Sequence, residues 1–184
     1  ETEELVDLIL AENLNTELKV LDIGTGSGAI AVSLKKSRPM WQVTASDLSA
    51  DALVLAKDNA KLNRVDISFV LADVFENVSG CFDIIVSNPP YISENDKDEV
   101  GLNVLTSEPK MALFADEDGL AIYRQILEDA DKYLNPQGKL YFEIGYKQGE
   151  DLRKLLSLHF PDKHVRVLKD QFGQDRMVVM DDGK

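Results

Sequence analysis

Short apolar runs alternate with longer amphipathic stretches along almost the whole chain, and this alternation is what most constrains the fold. Strands are predicted at residues 18–23, 42–46, 67–71, 82–87, 139–144, 164–169 and 176–180, and helices at 29–37, 49–62, 118–134 and 149–159. This β–α–β–α order implies a mostly parallel sheet covered by helices on both faces. A hairpin turn predicted at 172–175 adds an antiparallel strand. We therefore expect an α/β fold with a mostly parallel, seven-stranded sheet and one antiparallel strand.

Length and composition favour one domain over residues 1–184 and exclude several kinds of site. The 33 acidic residues exceed the 20 basic ones, and the formal net charge of −13 argues against a surface built to bind phosphates. The single cysteine, Cys81, excludes an internal disulfide and is expected to be a small buried residue. With two histidines in the chain, no metal site is predicted. The longest uncharged run, residues 23–34, is too short to span a bilayer, so the chain is expected in the cytoplasm.

A glycine-rich loop, Asp22-Ile23-Gly24-Thr25-Gly26-Ser27-Gly28, follows the first predicted strand and opens the first helix. Glycines let backbone amides approach a ligand closely, and the carboxyl edge of such a sheet is where ligands bind. Asp47 ends the second strand, 23 residues after Gly24, and can accept hydrogen bonds from both hydroxyls of a ribose. The alternative for Asp47 is a cap for the helix that begins near Ser49. These features predict an adenosine ligand without separating NAD from S-adenosylmethionine.

Three further residues are predicted to line the same adenosine site. Asp73 follows the third strand and can accept a hydrogen bond from an adenine amino group; the alternative is a solvated turn residue. Val74 beside it can pack on the purine. Leu48, next to Asp47, is the third of these residues, and Asn88 is predicted to contact the cofactor as well.

A rigid turn, Asn88-Pro89-Pro90-Tyr91, directly follows the buried fourth strand. The two prolines fix φ and have no N–H, so the backbone is stiff. The Asn88 side-chain oxygen and the Pro89 carbonyl can then accept both protons of one planar NH₂ group, while Tyr91 offers a flat face for stacking. The turn predicts a site for a conjugated, weakly basic amine and favours methyl transfer over NAD chemistry. The alternative is a proline turn in which asparagine acts as a local cap.

The loop at 22–28, taken with Ser87-Asn88-Pro89-Pro90-Tyr91-Ile92, resembles the class I S-adenosylmethionine-dependent methyltransferases that alkylate amide or exocyclic nitrogens. Within them the chain resembles the HemK/PrmC family, which methylates the glutamine of the Gly-Gly-Gln motif in peptide chain release factors. The resemblance runs nearly end to end and includes segments at 1–6, 108–124, 143–149 and 170–176.

The resemblance implies a Rossmann-like methyltransferase fold, S-adenosylmethionine as cofactor and S-adenosylhomocysteine as product. It implies catalytic roles for Asn88, Pro89 and Tyr91, and a substrate site that also includes Pro90. Glu108 is predicted to support the same substrate site through the adjacent loop, and the alternative is a structural carboxylate. The implied partner is a release factor, bound by a monomeric chain without direct contact to nucleic acid. The family also carries an N-terminal helical domain, which we expect to be absent from this chain. It opens at Glu1 without an initiator methionine, so we expect a fragment or processed chain in which residues 1–16 are a remnant of the connecting segment and first helix.

An adenine-N6 methyltransferase acting on RNA or DNA is the main alternative, because it can share the same turn and also alkylates a planar NH₂ group. The polar stretch at 91–117 bears on this choice, since a loop of that length is usually functional. Near its start, one lysine stands among four acids, Glu94, Asp96, Asp98 and Glu99. A nucleic-acid enzyme is expected to place basic residues there. The charge therefore favours a protein substrate. Two further alternatives are an NAD-dependent oxidoreductase, which leaves the Asn88 turn unexplained, and a non-catalytic binding module, which the intact Asn88 turn and Asp47 argue against.

Overall fold

The structure is a computed structural model that describes residues 2–13, 16–89 and 119–183. Within these residues the chain forms five helices and seven strands. The helices are α1 (Thr2–Glu12), α2 (Ala29–Ser37), α3 (Ala50–Leu62), α4 (Ala121–Tyr133) and α5 (Gly149–His159). The strands are β1 (Lys19–Ile23), β2 (Gln42–Asp47), β3 (Ser68–Leu71), β4 (Phe82–Ser87), β5 (Leu134–Glu143), β6 (His164–Lys169) and β7 (Asp175–Asp181).

The strands form one sheet in the order β3-β2-β1-β4-β5-β7-β6. Strands β1 to β5 pair in parallel, and β7 runs antiparallel between β5 and β6. The predicted mostly parallel sheet with one antiparallel strand is confirmed. The strand order reverses between β1 and β4, and a crevice forms at the carboxyl ends of the strands on either side of such a reversal. The loops after β1 and β4 therefore open into the same crevice.

Two apolar clusters cover the two faces of the sheet. One packs α4 and α5 against the sheet, and the other packs α1, α2 and α3 against the opposite face. Strand β4 contributes to both, since Ile85 faces the first cluster while Ile84 and Val86 face the second. This explains why the strand is apolar at nearly every position rather than at alternate ones. Among the described helices, none is long and apolar enough to cross a membrane.

The structure corrects two details of the sequence analysis. Strand β5 begins at Leu134 rather than at residue 139, because Leu134 pairs with Phe82 across an irregular stretch of β4 and the Asn135 Nδ2 donates to Asp83 Oδ1 at 2.9 Å. These long-range contacts draw turn-forming residues into the strand. The prediction that Cys81 is buried was wrong: the residue is exposed just before β4, with its Sγ 3.6 Å from the Lys132 carbonyl oxygen.

Candidate active site

The glycine loop between β1 and α2 provides both open space and close packing. Gly24, Gly26 and Gly28 have φ values of +70°, +58° and +83°, a region that favours glycine. A Cβ atom added at Gly24 or Gly26 has no atom of the described residues within 4 Å, so within this part of the chain these two glycines border open space. A Cβ at Gly28 lies 3.0 Å from the Cβ of Ala56 on α3. Gly28 therefore lets the loop pack tightly on α3, while the other two leave room above the loop.

Hydrogen bonds from the β2–α3 segment hold the loop in place. The Gly26 N–H donates to Asp47 Oδ2 at 2.8 Å, and Asn59 Nδ2 donates to the Ser27 carbonyl oxygen at 2.7 Å. Asn59 lies on α3 and Asp47 ends β2. A third bond, from the Thr25 N–H to the Ser46 carbonyl oxygen at 2.9 Å, holds the loop to the same side of the crevice.

Asp47 supports the start of α3 and still has acceptor positions for a ligand. Its Oδ1 accepts from the Ser49 N–H at 2.9 Å, while the Ser49 hydroxyl caps α3 by accepting from the Ala52 N–H at 3.2 Å. The carboxylate therefore supports the cap without being the cap itself. It has further lone pairs available, since a carboxylate offers about four acceptor positions. Next to it, the Leu48 side chain is 55% exposed, which places an apolar surface beside the acid.

Asp22, next to the last residue of β1, is a residue of the site for which no role was predicted. The residue is 1% exposed, and its Oδ2 accepts from the Thr25 hydroxyl at 2.8 Å. Its Oδ1 has no hydrogen-bond partner among the described residues. Burial raises the pKa of the carboxyl group to about 7; the Thr25 hydrogen bond opposes this shift, and the charge of Asp47 adds to it. An acid next to the last residue of an otherwise apolar strand end was the signal that could have identified it.

The pKa of Asp22 leads to an expected pH dependence of stability. In the unfolded chain the group titrates near 3.8, so the folded protein holds an extra proton between about pH 4 and about pH 7. The free energy of unfolding is expected to fall as the pH rises through this window, by up to about 4 kcal/mol at about 1.4 kcal/mol per unit. Asp22→Asn removes this contribution.

Denaturant unfolding of both ligand-free proteins at about pH 5 and about pH 8 measures the difference. The variant is expected to gain stability relative to the parent at the higher pH. If the free energy of unfolding falls equally in the parent and in Asp22→Asn as the pH rises, the raised pKa assigned to Asp22 is contradicted.

The end of β4 lies beside the glycine loop. Ile23 of β1 and Ser87 of β4 are register partners, so Gly24 and Asn88 leave the sheet side by side. Asn88 is half-buried and Pro89 is buried. The structure therefore brings the start of the predicted rigid turn into the crevice. Pro90, Tyr91, Glu108 and the acidic residues at 94–99 lie outside the described residues, and their roles stay predictions.

Beyond β3, the predicted adenine-binding residues differ in exposure. Asp73 is exposed, and its Oδ1 lies 3.4 Å from the Nε2 of Gln125 on α4. Val74 is buried in the α4–α5 cluster and has a φ of +60°, an uncommon value for a β-branched residue. A cavity of about 410 Å³ below this loop is lined by Asp73, Val74 and residues of α4, and no glycine-loop residue borders it. This cavity is separate from the crevice.

Glu143 ends β5 on the other side of Asn88. Ser87 and Phe142 are register partners, so the next residues, Asn88 and Glu143, emerge together. Glu143 is buried, its Oε2 lies 3.4 Å from the Thr2 hydroxyl, and its carbonyl accepts from the Tyr123 hydroxyl at 2.7 Å. The crevice is thus bordered by the ends of three adjacent strands.

Comparisons with known proteins identify the family of this chain. Residues 6–116 match the family model described as methyltransferase small domain. The chain is 64% identical over 184 residues to a release factor glutamine methyltransferase of Streptococcus pneumoniae, covering 100% of this chain and 66% of that protein. It is 51% identical over 178 residues to the release factor glutamine methyltransferase of Lactococcus lactis, covering 97% of this chain and 66% of that protein. The chain therefore spans about two thirds of the length of these curated relatives.

A solved structure shares the fold at low identity. It is the 16S rRNA N2 G1207 methyltransferase of T. thermophilus in complex with AdoMet and guanosine, with a TM-score of 0.68, 18% identity, and coverage of 98% of this chain and 42% of that one. The resemblance found in residues 22–28 and 87–92 is confirmed by the named relatives. With a family model matched over more than half of its residues, the chain belongs to the methyltransferase small domain family.

Proposed function

We propose that this protein transfers a methyl group from S-adenosylmethionine to the side-chain amide nitrogen (N5) of the glutamine in the Gly-Gly-Gln motif of peptide chain release factors. The observation that carries the proposal is the register that sets Asn88 beside Gly24. It unites a turn suited to a planar amide with a loop suited to an adenosine ligand. The identity to release factor glutamine methyltransferases supplies the substrate. The activity belongs in the cytoplasm, where release factors act on translation.

The residues of the crevice fit S-adenosylmethionine. The open space at Gly24 and Gly26 accommodates a ligand against the backbone. Asp47 has acceptor positions for the ribose hydroxyls, and Leu48 offers an apolar surface for the adenine ring. Asp22 brings a buried carboxyl oxygen that lacks a partner among the described residues, suited to a cationic ligand. When bound, S-adenosylmethionine supplies an electrophilic methyl group on a positively charged sulfur.

The chemical task of the protein is to make an amide nitrogen react. Such a nitrogen is a poor nucleophile because its lone pair is delocalised into the carbonyl group. In the proposed complex, the Asn88 side-chain oxygen and the Pro89 carbonyl each accept one N–H of the glutamine amide. These bonds return electron density to the nitrogen and fix the direction of its lone pair. Positioning of this kind can supply roughly 7–11 kcal/mol of the barrier. As the nitrogen bonds to the methyl carbon, the carbon–sulfur bond breaks and S-adenosylhomocysteine leaves. No strong base is required beforehand, since the nitrogen becomes acidic on alkylation and then loses its proton to solvent.

Transfer of a labelled methyl group tests the substrate. The purified protein is incubated with methyl-labelled S-adenosylmethionine and one candidate substrate at a time. The protein candidates are a release factor and the same factor with the motif glutamine changed to glutamate, and the nucleic-acid candidates are RNA and DNA. A short Gly-Gly-Gln peptide at high concentration tests the pocket independently of docking by the whole factor. We expect label in the unmodified factor and the peptide, and none in the glutamate variant. Label in RNA or DNA without label in either protein substrate contradicts the proposal and favours the adenine-N6 alternative.

A further inference from the structure

Two buried serines flank the last residue of β1. Ile23 is the register partner of Ser46 on β2 and of Ser87 on β4. Ser46 is 1% exposed and Ser87 is 0% exposed. The Ser87 hydroxyl donates to the Ile23 carbonyl oxygen at 2.7 Å, whereas the Ser46 hydroxyl has no hydrogen-bond partner among the described residues. The two serines share residue type, burial and register partner, and of their two hydroxyls only that of Ser87 has a hydrogen-bond partner among the described residues.

The Ser87 bond joins the two halves of the crevice at the point where they leave the sheet. Ile23 immediately precedes Gly24, and Ser87 immediately precedes Asn88. Ser87 is also the last residue of β4, so the regular pairing of β1 with β4 ends at this position. The hydroxyl adds a side-chain link where backbone pairing stops.

The glycine loop has other supports that do not involve β4. Asp47 and Asn59 bind it from the β2–α3 side at 2.8 Å and 2.7 Å. Removing the Ser87 hydroxyl is therefore expected to leave the loop and its ligand in place. Without that hydroxyl, however, Asn88 is no longer held at a fixed distance from the loop.

We propose that Ser87 is a positioning residue for methyl transfer, whose hydroxyl fixes the Asn88–Pro89 turn at a set distance from the glycine loop. This inference rests on the proposed function, since it requires that Asn88 holds the acceptor amide. A displacement of about 1 Å between reacting groups can lower a rate by about a hundredfold. A single buried hydrogen bond between neutral groups has only a modest effect on stability by comparison. Loss of the bond should therefore affect turnover more than folding.

The test compares Ser87→Ala with the matched control Ser46→Ala and with Ser87→Thr, which keeps a hydroxyl. Three quantities are measured: kcat for the release factor, the Kd of S-adenosylhomocysteine by calorimetry, and Tm. For Ser87→Ala we expect kcat to fall by about tenfold or more, with a Kd that changes by less than about threefold. For Ser46→Ala we expect all three quantities close to those of the parent. Ser87→Thr should recover a substantial part of kcat.

Several results overturn the inference. One is a Ser87→Ala protein whose kcat lies within about twofold of the parent. Others are an equal fall in kcat for Ser46→Ala, a Kd that weakens in proportion to the loss of kcat, or a Ser87→Thr protein as slow as Ser87→Ala. An inactive parent protein that binds S-adenosylhomocysteine and methylates no release factor or peptide is a failure of the proposed function instead. The two failures are distinguishable because only the second concerns the parent.

Discussion

Asn88→Ala is expected to lower the rate of glutamine methylation by about 10²–10³-fold, as the loss of one preorganised polar contact does in other enzymes. The variant loses the acceptor that orients the substrate amide, and Pro89 alone cannot fix the lone pair of the nitrogen. Single-turnover methylation of the Gly-Gly-Gln peptide measures the effect on the chemical step. Binding of S-adenosylhomocysteine should change much less than the rate, because the glycine loop and Asp47 are untouched.

A second asparagine provides the control for this experiment. Asn135 is also half-buried and lies at the opposite end of the sheet, where its Nδ2 donates to Asp83. Asn135→Ala should reduce stability modestly and leave the single-turnover rate close to that of the parent. A near-normal rate for Asn88→Ala would refute the role assigned to the turn.

Asp47→Ala is expected to weaken the binding of S-adenosylhomocysteine by at least about 10²-fold. Two charge-assisted hydrogen bonds to ribose hydroxyls contribute about 1.5–3 kcal/mol each, and about 1.4 kcal/mol corresponds to a tenfold change in affinity. The variant also removes the acceptor for the Gly26 N–H, so the loop loses one of its anchors. Calorimetric titration of the folded protein measures the change in Kd.

Asp83 is a closely matched control for Asp47. Both residues are half-buried, and each carboxylate accepts a backbone N–H at 2.8 Å, from Gly26 for Asp47 and from Lys19 for Asp83. Lys19 begins β1, so Asp83 lies at the amino edge of the sheet, away from the crevice. Asp83→Ala should lower Tm without a change in Kd. Equal affinities for the two variants contradict the assignment of Asp47 to the ribose.

Local patterns in the sequence were sufficient to predict the sheet, its antiparallel strand and the crevice. Period and length identify the strands and helices, and their β–α–β–α order implies a mostly parallel sheet. The glycine loop and the Asn88 turn were recognisable because each is a continuous segment whose residue types serve a backbone requirement. Their meeting in one crevice also followed, since both come directly after parallel strands.

Features that depend on contacts between distant segments could not be predicted. The early start of β5 comes from pairing of Leu134 with Phe82, and the exposure of Cys81 depends on where β4 begins relative to the core. The burial of Val74 reflects its place against α4, which no local pattern reveals. The hydrogen bond that distinguishes Ser87 from Ser46 is made to Ile23, which lies 64 positions before Ser87 in the sequence. The roles of the predicted cofactor and substrate residues stay predictions until the variants are measured.

The close approach of Gly28 to Ala56 has a consequence for how this protein can vary. Ala56 is fully buried, and its Cβ lies 3.0 Å from where a side chain at Gly28 would begin. A larger residue at position 56 must push α3 outward, and Asp47 is linked to the start of that helix through Ser49. The displacement would move Asp47 away from the proposed position of the ribose. A residue that touches no ligand can thus limit which sequences remain able to bind one, and natural relatives are expected to keep position 56 small.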